Sequence, residues 1–281
     1  MNIRHLGMII FTALSISVYA QPQSEMFTDT EFTVLEDERL MNGYTVQTWR
    51  PEDTSSLFAG TIIVVQTPHG EVLQYEDAIL DIAEVSGTDI TGTGVPNLVI
   101  EGFSGGAHCC FTTTVLELNN APQDVLTTPE VLSTPYGECG GDFADLDGNG
   151  TFEYRTCDDS FAYEYCSYAA SPLVLSIMHY DATLGQYVAA SPNYPAEFAG
   201  EIAWGLSRAL QHYSGRNEYE DSVDGTPKCE VLGLILAYLY VGEIDLARAA
   251  LDRFYEEPDK ERFWQQILTR TSASYFYTSS E

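Results

Sequence analysis

Asp145, Asp147 and Asn149 stand at alternate positions of Asp145-Leu-Asp147-Gly-Asn149-Gly-Thr151-Phe-Glu153, and Glu153 closes the run. Three carboxylates and an amide oxygen at this spacing suit a hard divalent cation. Ca²⁺ takes about six to eight oxygens at roughly 2.3–2.6 Å, from carboxylates, amides and backbone carbonyls. The alternating side chains would supply most of these, and the carbonyl of Thr151 one more. Gly148 and Gly150 permit the positive φ angles that wrap a short loop round an ion. A second run, Asp89-Ile-Thr91-Gly-Thr93-Gly-Val95-Pro-Asn97, repeats the frame. Asp89, Thr91, Thr93, Val95 and Asn97 form a weaker ligand set, because Thr91 and Thr93 replace an acid and an amide. The run from Asp145 is not an EF-hand, since Thr156 stands where that motif needs its twelfth-position Glu. The plain alternative for both is a glycine-rich turn.

Three other groupings carry chemistry. Gly102-Phe-Ser104-Gly-Gly106 has the spacing of a serine nucleophile elbow, with Asp142 or Asp158 and His179 or His212 following in order. An elbow must lead from a strand into a helix, whereas a β-branched strand follows here. His108-Cys109-Cys110 offers soft-metal ligands, but neighbouring side chains on a strand point oppositely. Phe161, Tyr163, Tyr165 and Tyr168 read as a strand whose aromatic face would pack in a core or stack on a sugar.

These groups must be held by strands. Gly43–Trp49 alternates, and Gly60–Gln66 is a β-branched run that meets the turn Thr67-Pro-His-Gly70 before Glu71–Tyr75. Asn97–Glu101, Phe111–Leu118, Leu173–Tyr180 and Tyr187–Ala189 are further strands, the last two joined by the turn 181–185. No helical segment separates them, so antiparallel meanders are expected. After Pro195 the period changes. Ala196–Tyr213 places Phe198, Ile202, Leu206 and Leu210 on one stripe. Cys229–Val241, Ile244–Tyr255 and Arg262–Leu268 read as three more helices, broken by Gly242 and Pro258. The fold class is therefore mainly β, with an α-helical C-terminal part. The expected divisions are 1–20, 21–195 and 196–281.

The second acidic loop and its flanking strands resemble FG-GAP/VCBS-like repeats, related to integrin alpha-chain blades, over about residues 80–190. That resemblance implies calcium as a structural ion and propeller-blade-like β units. The first loop matches only in frame, and the Phe-Gly and Gly-Ala-Pro signature is not clear. The β part is too short for a seven-bladed ring at roughly 40–50 residues per blade, so a partial propeller or a stack of meanders is expected. Leu234, Tyr238, Gly242, Ala247, Leu251 and Pro258 resemble one tetratricopeptide-type helix pair, which implies a partner-binding groove; the plain alternative is a helical hairpin packed on the β part.

Residues 1–20 read as a cleavable secretory signal. Arg4 precedes an apolar run from Leu6 to Val18, and Val18-Tyr-Ala20 is a small-x-small site. A periplasmic or secreted location is expected. Val231–Tyr240 is too short to span a bilayer and fits a buried helix. The net charge of -30 repels phosphate backbones and argues against a nucleic-acid partner. Six cysteines in an exported chain point to disulfides. Cys139 and Cys157 would clasp the second loop, and Cys229 would tie the helices to the β part. The function expected is that of an exported calcium-binding β protein with a binding or structural role. The alternatives are a glycan- or protein-recognition module using the tyrosine face or helix pair, and a serine hydrolase using Ser104.

Overall fold

A computed structural model describes residues 29–279 apart from 30, 57, 106–109, 132–140 and 215–222. The signal-like segment, Cys109 and Cys139 lie outside the described residues. So does the proposed clasp between Cys139 and Cys157.

Twelve described strands form three four-stranded antiparallel sheets, each an up-and-down meander. The first holds β1 (Val34–Met41), β2 (Tyr44–Arg50), β3 (Thr61–Gln66) and β4 (Val72–Asp77). The second holds β5 (Ile79–Ile82), β6 (Asn97–Phe103), β7 (Phe111–Glu117) and β8 (Gln123–Thr127). The third holds β9 (Asp142–Ala144), β10 (Glu153–Asp158), β11 (Val174–Asp181) and β12 (Gln186–Ala189). The fold is mainly β with a helical C-terminal part, and the three sheets of the described residues do not close into a ring.

The period of two along each strand sorts side chains between layers. Tyr44 and Val46 of β2 and Ile63 and Val65 of β3 face Leu98, Ile100 and Leu116 of the second sheet. Trp49, Ile62 and Val64 turn the other way, against Phe32. On the far side of the second sheet, Val99, Val115 and Val125 meet Tyr154, Met178 and Tyr187 of the third. Ile177, beside Met178, points instead into a core shared with the helices. The layers therefore run first sheet, second sheet, third sheet, helices.

The helices are α1 (Ala199–Tyr213), α2 (Pro227–Tyr240), α3 (Ile244–Phe254) and α4 (Lys260–Ser272), the last longer at both ends than its apolar pattern predicts. α2 is buried almost all round, and among the described residues no helix is long and apolar enough to cross a membrane. The stripe expected on α1 is rotated. Phe198 is buried, but Leu206 and Leu210 are exposed, and Gly205 and Ala209 take the inner face. The reason is close approach: a Cβ on Gly205 would lie 2.8 Å from the backbone nitrogen of Leu234. Small residues let α2 reach this distance, which a leucine would prevent.

Residues 161–168 form turns rather than the expected strand. Tyr163 adopts a left-handed φ of 61°, and a 3-10 turn covers Tyr168–Ala170. The aromatic side chains accordingly scatter. Phe161 is buried in the helix-facing core, while Tyr163 is exposed and stacks on Tyr168. A disulfide from Cys166 in this segment to Cys229 at the start of α2, with Cα atoms 5.4 Å apart, ties the helices to the β part as expected. Cys110 and Cys157 are disulfide-bonded too.

Candidate metal centre

Both acidic loops sit where one strand hands over to the next. Asp145–Phe152 connects β9 to β10, which pair Glu153 with Ala144. Asp89–Pro96 precedes β6. The two loops share one internal construction. Asp145 accepts the N–H groups of Asn149 (3.0 Å) and Gly150 (3.1 Å); Asp89 accepts those of Thr93 (3.2 Å) and Gly94 (2.7 Å). Glu153 accepts the N–H of Leu146 at 2.8 Å, and Asn97 that of Ile90 at 2.9 Å. Glycines with positive φ occupy the same places, Gly92 and Gly94 in one, Gly148 and Gly150 in the other. The loops also touch. Phe152 N–H donates to the Ile90 carbonyl at 2.8 Å, and a Cβ on Gly92 would lie 2.7 Å from Cγ2 of Thr151.

Their contents differ. Carboxylate oxygens of Asp145, Asp147 and Glu153 lie within 4.8 Å of one another. Two ligands of one Ca²⁺ are at most about 5 Å apart, so one ion fits this set. Glu153 is 1% exposed, and the Tyr194 hydroxyl hydrogen-bonds it. Among the described residues no Lys or Arg pairs with any of the three acids. Burial first, then the Glu153 hydrogen bond and the charges of Glu153, Asp147 and Asp145, push the Tyr194 hydroxyl well above the usual tyrosine range. Asn149 lies in the same loop, its Oδ1 accepting the Thr151 N–H at 2.6 Å; Thr151 itself is half-buried.

The first loop instead holds a carboxylate from another strand. Glu117, at the end of β7, accepts the hydroxyls of Thr91 (3.2 Å) and Thr93 (2.7 Å), and its other oxygen accepts the Asn119 amide at 2.5 Å. Thr91 and Thr93 serve here as donors. Asn97, standing where the other loop has Glu153, is fully buried, and its Nδ2 has no hydrogen-bond partner among the described residues. Val95 is half-buried in the loop. Sequence spacing missed Glu117 because it comes from outside the loop; its position at a strand end gave no signal.

Ser104 is placed between antiparallel strands. Phe103 of β6 pairs with Phe111 of β7, and the Ser104 Oγ accepts the Cys110 N–H at 3.2 Å. The described residues of this connection contain no helix for an elbow to open. His108 lies outside the described residues.

A second carboxylate pair lies on β5 and β6, where Asp81 faces Glu101 directly across the ladder. Burial, and then the Asp81 charge, raise the Glu101 carboxyl above its ordinary value. The pair lies beside Phe103 and Phe111.

No family model, curated protein or solved structure matches the chain.

Proposed function

We propose that this is an exported, calcium-binding β-repeat protein, periplasmic or secreted, whose role is binding or structural rather than catalytic. One observation carries the calcium reading: three converging carboxylates, one of them buried, without a cationic partner among the described residues. Three like charges this close repel one another in a partly desolvated site. A divalent cation would offset that repulsion and cross-link β9 to β10. Asp145, Asp147 and Glu153 would give carboxylate oxygens, Asn149 its amide oxygen and Thr151 its carbonyl. The first loop is the weaker candidate, because its threonines already serve Glu117.

The four-stranded meanders and the Asp-x-Asp-x-Asn-Gly loop support kinship with FG-GAP/VCBS-like repeats, and the α2–α3 hairpin supports a tetratricopeptide-like pair. Residues 1–20 support export.

The test is thermal unfolding of the mature, oxidised protein in EDTA and in millimolar Ca²⁺. A ligand at ~100 times its dissociation constant stabilises the native state by about 2.7 kcal/mol, a shift of several degrees. Ca²⁺ is expected to raise the midpoint, and Asp147→Ala to abolish the rise. An unchanged midpoint in Ca²⁺ would remove the calcium reading and leave two glycine-rich turns.

A further inference from the structure

β8 and β12, edge strands of the second and third sheets, lie against one another and are joined at one end, where Gln123 donates to the Gly185 carbonyl at 3.4 Å. Between them and the C-terminal segment opens a cleft of about 680 Å³, within the usual range for small-ligand sites. Asp124 and Thr127 line it from β8, Gln186 from β12, Leu184 from the turn before β12, and Tyr275 and Tyr277 from the C-terminal segment.

The tyrosine wall is held in place. Phe276, between the two tyrosines, is 3% exposed in the core, and its carbonyl accepts the Ser176 hydroxyl at 2.8 Å. Ser274 donates to the buried Asp158. With alternate residues anchored, Tyr275 is turned outward at 48% exposure, beside Leu184 at 61%. Tyr277 is half-buried against Tyr240. Asp124 is oriented by the Thr127 hydroxyl at 2.7 Å. Asp124 and Tyr275 line the same cleft, and burial, then the Asp124 charge, raises the Tyr275 hydroxyl above its ordinary value.

The lining selects a ligand class. Among its described residues there is one carboxylate, Asp124, and no Lys, Arg or His. In a chain of net charge -30 such a cleft disfavours phosphates, sulfates and acidic peptides. A single carboxylate is also little to hold a polycation, so the lining suits a neutral molecule with an apolar face for a tyrosine ring and hydroxyls for the polar wall. A pyranose has both: its axial C–H groups pack on an aromatic plane, and its hydroxyls donate to carboxylate or amide oxygens. We infer that the cleft between β8, β12 and the C-terminal segment binds a neutral saccharide chain, with Tyr275 as the stacking platform and Asp124 and Gln186 as hydrogen-bonding partners. This surface is separate from the 161–168 segment and from the acidic loops, so the inference goes beyond the calcium reading and stands without it.

Isothermal titration of the mature protein tests it. The probes are linear hexasaccharides of β-1,4-linked glucose, xylose and mannose and of α-1,4-linked glucose, with hexalysine as the cationic competitor. At least one hexasaccharide is expected to bind. Tyr275→Ala should weaken that binding about tenfold. Asp124→Asn, at an exposed strand position, should weaken it severalfold without altering the unfolding midpoint. Tyr163→Ala, an exposed tyrosine elsewhere, should leave it unchanged. The inference is overturned if none of the four sugars binds, if binding survives both cleft variants, or if hexalysine binds the cleft and the sugars do not.

Discussion

The Tyr240 hydroxyl on α2 donates to Asp158 at the end of β10, across 82 positions of chain. The same carboxylate accepts the Ser274 hydroxyl and both the N–H and hydroxyl of Ser160. A carboxylate 3% exposed is thus satisfied from three directions, and it fastens α2 and the C-terminal segment to the third sheet. Removing it strands four donors in a buried site. Asp158→Ala is expected to cost about 3 kcal/mol, or roughly 5–10 °C in the unfolding midpoint. Tyr240→Phe should cost less, because Asp158 keeps its other donors. Hydrogen exchange at residues 274–279 should accelerate in Asp158→Ala and much less in Tyr240→Phe.

The two acidic loops should answer differently to substitution. Glu117→Ala leaves the Thr91 and Thr93 hydroxyls and the Asn119 amide without their acceptor. Its cost is expected at about 2 kcal/mol, the same in EDTA and in Ca²⁺. Asp147→Ala should destabilise in Ca²⁺ and change little in EDTA, where relief of repulsion offsets lost hydrogen bonds. Midpoints of both variants in both buffers check this.

Two glycines on one helix should move stability in opposite directions. At Gly205 a Cβ would meet the Leu234 nitrogen at 2.8 Å and its Cα at 2.9 Å, backbone atoms that cannot step aside. Gly205→Ala should cost about 1–3 kcal/mol by prising α1 from α2. A Cβ at Gly200 meets nothing within 4 Å. Gly200→Ala should gain about 0.5 kcal/mol by restricting the unfolded chain. Urea unfolding of the two variants measures both.

The Asp81–Glu101 pair predicts a pH dependence. The folded protein holds the Glu101 proton more tightly than the unfolded chain does, through burial first and the Asp81 charge second. Between the unfolded and folded values the native state binds more protons, so stability falls as pH rises through that window. The contribution is fully present below the ordinary Glu value of about 4.3 and lost above the raised one. Glu101→Gln should therefore match the parent protein near pH 4 and have the higher unfolding midpoint at pH 7. A variant less stable than the parent at pH 7 would refute this.

Hairpin turns and central strands were legible in the chain itself. β2, β3, β6, β7 and β11 carry apolar residues on both faces and stand out, and β4 and β12 are marked by the turns before them. β9 and β10 were marked only as flanks of the second acidic loop, and the strands without any local signal, β1, β5 and β8, are all sheet edges. β1 and β8 bury few residues, and the charged run from Glu36 to Arg39 interrupts β1, so their periodicity is weak. The break between α2 and α3 followed from Gly242, whose positive φ ends a helix locally, whereas α2 begins at Pro227, two residues before its expected start.

By itself, then, the sequence determined the local pieces: the antiparallel meanders, the helical C-terminal part, and two loops of one backbone design. These depend on neighbours a few residues away. Tertiary structure decided what each loop contains, because Glu117 and Tyr194 reach the loops from other segments. It also turned Leu206 and Leu210 outward, since only the approach of Leu234 selects Gly205 and Ala209 as the inner face. The scattering of the 161–168 aromatics and the cleft between β8, β12 and Tyr275 were settled at that level too. Each depends on contacts between residues distant in sequence, which no local pattern of residue types encodes.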